Sequence, residues 1–67
     1  MSRAVEQQAL QLAREVLAEV DPLRRQTFEL RLARWWDDLE DGLAALYGQR
    51  ADAVALDLVA RAAAAYR

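Results

Sequence analysis

The chain has 67 residues, 55% of them apolar and 30% charged, and its net charge is −2. It contains neither Cys nor His. This excludes a disulfide framework, a thiol nucleophile, a zinc site of the usual kind and any catalytic relay that needs an imidazole. The nine Arg residues alternate with eleven acidic residues, which is typical of a solvated surface, so nucleic acid is not an expected partner.

Composition also indicates the fold class and the location. Ala, Leu, Arg, Glu and Gln are strong helix formers and dominate the sequence, whereas β-branched residues are scarce, so we predict an all-α fold. The apolar runs are far shorter than the roughly 18–20 residues that cross a membrane, and the first residues lack the apolar core of a secretory signal. We therefore expect a cytoplasmic protein with no membrane partner. A domain this small rarely obtains more than about 3–5 kcal/mol from its own core, so we expect a further packing partner.

The first predicted helix covers residues 2–20. Ser2 can cap its amino end, because a serine hydroxyl accepts a hydrogen bond from a free backbone N–H of the first turn. Leu10 and Leu17 widen the apolar stripe to roughly 160°. A stripe this wide usually contacts more than one neighbour, which makes both residues candidates for an interface. The main stripe follows helical spacing and consists of Val5, Ala9, Leu12, Ala13, Val16 and Val20.

The second predicted helix covers residues 22–47. Pro22 disfavours helical backbone at Asp21, so the first helix ends before this pair; Asp21 then suits the N-cap and Pro22 the first helical position. Gly48 can adopt the left-handed conformation that ends a helix. Gly42, inside the helix, costs about 1 kcal/mol relative to Ala, which a bend or a closely packed neighbour would explain. The predicted core residues are Phe28, Leu32, Trp35, Trp36, Leu39, Leu43, Leu46 and Tyr47.

The third predicted helix covers residues 50–66. Val54 and Leu56 flank its apolar stripe and join Leu10 and Leu17 as candidate packing or interface residues. Because the connections are short, the three helices should form a small up-down bundle with a long central helix. The stripe of the third helix consists of Ala51, Ala55, Leu58, Val59, Ala62 and Tyr66.

Two local patterns have a functional and a simpler interpretation. The acidic stretch from Asp37 to Asp41 fails as a calcium loop, because leucine and glycine stand where the loop needs oxygen ligands; we interpret it as a solvated helix face. Trp35 and Trp36 could stack on a sugar, but both lie near the centre of the apolar stripe, which favours core packing. The Asp37 and Asp41 carboxylates are one turn apart, with no pocket expected around them. We therefore predict no catalytic residue, cofactor or metal site.

The segment from Phe28 to Gly48 resembles the N-terminal helical domain of amylosucrases. In that family a Phe and a following Arg open the helix, apolar residues recur at this spacing, and a Tyr-Gly pair closes it. A further helix ends near an aromatic residue and an Arg, so the resemblance covers residues 28–67. The matching residues are Phe28, Arg31, Leu32, Trp36, Leu39, Leu43, Leu46, Tyr47, Gly48, Tyr66 and Arg67.

Amylosucrases are retaining glucosyltransferases of the α-amylase superfamily, which take glucose from sucrose and extend an α-1,4-glucan. Their catalytic Asp and Glu lie in a barrel downstream of the helical domain, so the resemblance carries no catalytic or sugar-binding residue onto this chain. It implies a non-catalytic N-terminal domain that packs on the barrel or supports a homodimer. The chain stops at Tyr66-Arg67 directly after a helix, which favours a fragment of a larger enzyme. The alternative is a free-standing helical module for protein interaction or dimerisation.

Overall fold

The computed structural model describes residues 3–67, with side chains from Ala4 onward. It contains helix α1 (Arg3–Val16), helix α2 (Pro22–Tyr47), a 3-10 turn (Gly48–Arg50) and helix α3 (Ala51–Tyr66). Within residues 3–67 there is no β-strand, and the three helices pack on one another as a small all-α bundle measuring 35 × 18 × 17 Å. The N-cap predicted at Ser2 lies outside the described residues.

Helices α1 and α3 meet along two rows of small side chains. Each row repeats every four residues, so it runs along one face of its helix. Because most members are alanines, the two backbones can approach closely, and α1 packs more extensively on α3 than on α2. The buried rows are Val5, Ala9, Ala13 and Leu17 on the first side, and Ala51, Ala55, Val59 and Ala63 on the second.

The buried rows differ from the apolar stripes predicted for α1 and α3. Leu17, predicted to lie on an uncovered surface, is completely buried, because it continues the four-residue row of α1 into the following turn. Leu58 is 41% exposed and Ala62 is also exposed, whereas Ala63 is buried. The face of α3 that meets α1 is therefore rotated away from the predicted stripe.

Helix α1 ends at Val16, four residues before the predicted end at Val20. The backbone N–H groups of Ala18 and Val20 donate to carbonyls three residues earlier, at 3.4 and 3.0 Å, so the chain tightens into turns over residues 17–20. Pro22 disfavours helical backbone at the residue before it. The chain reverses its direction in the turns over residues 17–20. An ion pair between Arg14 and Glu29 joins α1 to α2 beside this reversal.

Helix α2 is continuous from Pro22 to Tyr47. Asp21 occupies the N-cap position, but its side chain makes no capping hydrogen bond; its carbonyl accepts from the Arg25 N–H at 3.0 Å instead. Gly48 ends the helix with φ 58° and ψ −122°. Its φ is positive as predicted, but its ψ differs from that of the left-handed helical conformation and matches the first central residue of a type II′ turn.

The apolar arc of α2 divides into two halves. At about 100° per residue, Trp36 and Leu43 point between α1 and α3 and are 1% and 7% exposed. Phe28, Leu32 and Leu39 occupy the other half and pack only partly against the core. Trp35 and Leu46, in that second half, are 61% and 76% exposed, so their assignment to the core is wrong. The arc is wider than the surface that α1 and α3 present to it.

Tyr47 is also not a core residue. It is the last residue of α2, beyond the buried Leu43, and it is 49% exposed. Of the predicted core of α2, only Trp36 and Leu43 are buried, while Phe28, Leu32 and Leu39 are half-buried.

Candidate docking groove between α2 and α3

An apolar groove of about 400 Å³ runs between α2 and α3. Helix α2 contributes side chains spaced by four, three and four residues, and α3 contributes side chains spaced by four, so each helix presents one face to the groove. Arg31 is the charged residue of this lining. The apolar residues that form most of it are Phe28, Leu32, Trp35, Leu39, Leu58 and Tyr66.

One end of the groove is closed by aromatic and cationic contacts. The rings of Phe28 and Tyr66 lie 5.4 Å apart, tilted by 54°, a favourable geometry for an aromatic pair. The guanidinium of Arg24 lies 5.2 Å from the centre of the Tyr66 ring, within the range of a cation–π interaction. Its Nη2 also donates to the Tyr66 carbonyl at 3.1 Å. These contacts hold the carboxyl end of α3 against the start of α2.

The outer rim of the groove carries exposed apolar side chains. Trp35 is 61% exposed and Leu58 is 41% exposed, and both line the groove. The adjacent Trp36 is only 1% exposed, so two neighbouring tryptophans have opposite environments. An apolar surface that contains an exposed tryptophan and is bordered by charged residues is characteristic of a protein interaction site.

A second, more polar cleft lies at the opposite end of the bundle. It has a volume of about 450 Å³ and includes the side chains of Glu40, Asp41 and Asp52. Glu40 is only 8% exposed, and its Oε1 and the Nε1 of Trp36 are both buried without a hydrogen-bond partner among the described residues. Burying a carboxylate oxygen without a partner is unfavourable, so we expect Glu40 to reduce the stability of the bundle.

This acidic cleft does not form a metal centre. Within residues 3–67, no group of three or more His, Cys, Asp or Glu side chains could hold a metal ion. Asp37, Asp38 and Asp41 lie exposed on α2, as the interpretation of a solvated face predicts. Glu40 of the same acidic stretch is buried, so the interpretation is wrong at that residue.

The four candidate interface residues from the sequence lie away from the groove. Leu10, Val54 and Leu56 are half-buried, and the latter two pack against the core. Leu56 also borders a shallow cleft beside α1, together with Leu12. Leu17 belongs to the interior. The prediction was therefore wrong for Leu17, and it did not include the half of the α2 apolar arc that lines the groove.

The positions of Arg24 and Arg31 beside the groove were not predicted, although the sequence pattern contained a signal for them. Arg24 and Arg31 occur four residues before and three residues after Phe28, so all three share one side of α2. Two arginines that border an apolar stripe are typical of the edge of a packing face.

Comparison with known proteins identifies no matching family model, curated relative or solved structure. In the described part of the chain, none of the helices combines the length and the apolar character needed to cross a membrane.

Proposed function

We propose that this chain is a non-catalytic helical docking domain that buries the groove between α2 and α3 against another protein surface. On the resemblance of residues 28–67 to amylosucrases, the larger protein is an amylosucrase-like glucosyltransferase of the cytoplasm. The docking surface then packs on its catalytic barrel or supports its dimerisation.

The exposure of Trp35 is the observation that carries this proposal. A tryptophan side chain buries roughly 150–250 Å² when fully covered, and Trp35 is 61% exposed. Covering the remainder removes about 120 Å² of mainly apolar surface from water, which stabilises a complex by up to about 3 kcal/mol at about 25 cal/mol per Å². Leu58, at the same rim, adds to this term.

The size of the bundle supports the same proposal. Much of the interior is built from alanine, including Ala9, Ala13, Ala55 and Ala63, and an alanine contributes little apolar area. A small domain of this kind gains stability when a partner covers its remaining apolar surface.

A test of the enzyme context is the size of the native polypeptide in extracts of the source cells, detected with an antibody against this domain. We expect a band several times larger than the 7.6 kDa of the chain. The antibody-captured material should release fructose from sucrose and form glucan, and captured material from cells lacking the gene is the control. A band at 7.6 kDa would exclude the larger enzyme.

The second candidate function is a free-standing module for protein interaction or dimerisation. It uses the same groove. Arg31 and Asp38 are exposed one heptad apart on the groove edge of α2, so each can pair with the other residue on a second copy, which favours dimerisation. A native band at 7.6 kDa combined with association that depends on Trp35 would select it.

A further inference from the structure

We propose that the groove is occupied by α2 of a second copy of this chain, running antiparallel about a two-fold axis. This inference rests on the proposed docking function and names the partner of the groove. The spacing of the groove residues and the charges along one edge of α2 support this occupant.

The groove residues of α2 have the spacing of a helix-pairing face. Phe28, Leu32, Trp35 and Leu39 follow one another at four, three and four residues, the alternation by which side chains of two facing helices interdigitate. In an antiparallel pair, one register places Leu32 opposite Trp35 of the second copy and Phe28 opposite Leu39. A two-fold axis then repeats both contacts on the other side.

The charges on the outer edge of this face are complementary to themselves in that register. Arg31 and Asp38 are seven residues apart, so they lie on the same edge of α2, and both are exposed. Antiparallel helices bring equivalent edges together, so Arg31 of each copy faces Asp38 of the other. Arg24 lies one heptad earlier and faces Ala45, so the edge contains no pair of like charges.

The neighbouring antiparallel register is disfavoured by the same charges. A shift by one heptad places Leu39 opposite Trp35 of the second copy and makes the two Asp38 side chains face each other. The two facing Asp38 side chains repel each other, and both Arg31–Asp38 pairs are lost. The charge pattern therefore favours the first of these two registers. The opposite edge of the groove is formed by α3, where Leu58 and Tyr66 would contact the incoming helix.

Association through this groove should be reversible. The contact consists of one apolar face of α2 and of charged side chains at its edge that are exposed in the single chain. We therefore expect association that depends on concentration and weakens as salt screens the edge charges.

The test is sedimentation velocity of the 67-residue chain and its variants over a wide concentration range at low salt. The mass should rise from 7.6 kDa towards twice that value. Arg31→Asp and Asp38→Arg should each raise the dissociation constant by about tenfold, because each turns two attractive pairs into repulsive ones. The double variant R31D/D38R restores opposite charges and should return the constant to within about threefold of the original.

Two further variants separate the face from the charge change. Trp35→Ser should raise the dissociation constant by about a hundredfold, because a central tryptophan dominates such interfaces. Asp37→Arg makes the same charge change as Asp38→Arg, but on the exposed side away from the groove, and should leave the constant unchanged. Circular dichroism of each variant checks that the helices are retained.

The outcomes distinguish this inference from the docking function on which it rests. A chain that stays monomeric at all concentrations, or a dimer that Trp35→Ser leaves intact, would overturn the second copy as occupant. Single variants that weaken the dimer without rescue by R31D/D38R would overturn the register. If the chain is monomeric but Trp35→Ser in the larger native protein disrupts its assembly, the groove still docks, with another surface as its occupant.

Discussion

The two glycines of the chain should respond in opposite directions to substitution by alanine. Gly42 lies inside the continuous helix α2, and a Cβ placed on it meets no atom within 4 Å. Gly48 likewise has open space around a Cβ, but its backbone has φ 58° and ψ −122°. Side-chain crowding is therefore absent at both sites, and the backbone conformation alone determines the sign of the effect.

The magnitudes follow from backbone preferences. Alanine is favoured over glycine by about 0.8–1.0 kcal/mol inside a helix, so Gly42→Ala should raise the free energy of unfolding by about that amount. Gly48→Ala forces an L-residue into a conformation that glycine alone adopts readily, which costs about 1–3 kcal/mol. For a domain of this size, each kcal/mol shifts Tm by about 4–8 °C.

Thermal and urea unfolding followed by circular dichroism at one low protein concentration measures both effects without a contribution from association. We expect Gly42→Ala to melt several degrees above the original chain and Gly48→Ala several degrees below it. A destabilised Gly42→Ala would refute the open, regular helix at that position. An unchanged Gly48→Ala would refute the positive φ at the end of α2.

The remaining predictions concern the interior and one surface ion pair, all measured by urea unfolding. Leu17→Ala should lower the free energy of unfolding by about 2–5 kcal/mol, because Leu17 is completely buried. Leu10→Ala, at a half-buried position, should lower it by less than half as much. Equal losses would contradict the packing of α1. Glu40→Met should raise the free energy of unfolding by about 1–2 kcal/mol, because it removes a buried carboxylate oxygen without a partner. A decrease in that free energy above about 1 kcal/mol would show that the carboxylate makes a favourable contact. Arg14→Ala should lower the free energy of unfolding by less than about 1 kcal/mol, since its ion pair with Glu29 is largely exposed on the Arg14 side. A larger decrease that does not depend on salt would contradict the exposed character of this ion pair.

The extent of α2 was predictable from the sequence because its signals are local. Pro22 restricts the backbone of the residue before it, and Gly48 adopts a conformation closed to most residues. Both effects act within one or two residues, and the helix spans Pro22–Tyr47 as these signals predict. For α1, Pro22 acts only on the residue before it, so it did not fix where the helix ends. The chain leaves the helix at Val16, and residues 17–20 form the turns that reverse it.

The position of the open surface was not predictable from the sequence. Trp35 and Trp36 both fall within the apolar arc of α2, and helical periodicity gives them similar weight. The structure buries Trp36 and exposes Trp35, because the alanine-rich faces of α1 and α3 pack closely on each other and cover one half of the arc. Helical periodicity likewise gave no reason to expect that Glu40 would be buried between the helices.

The amino-acid sequence by itself determined that the chain is helical, that α2 lies between Pro22 and Tyr47, and that it has no Cys or His for catalysis or zinc. These properties depend on composition and on interactions between residues close in the chain. Tertiary structure alone decided that Leu17 is interior and that Trp35 borders a groove. Such outcomes depend on how closely distant helices approach, and the sizes of side chains far apart in sequence set that distance.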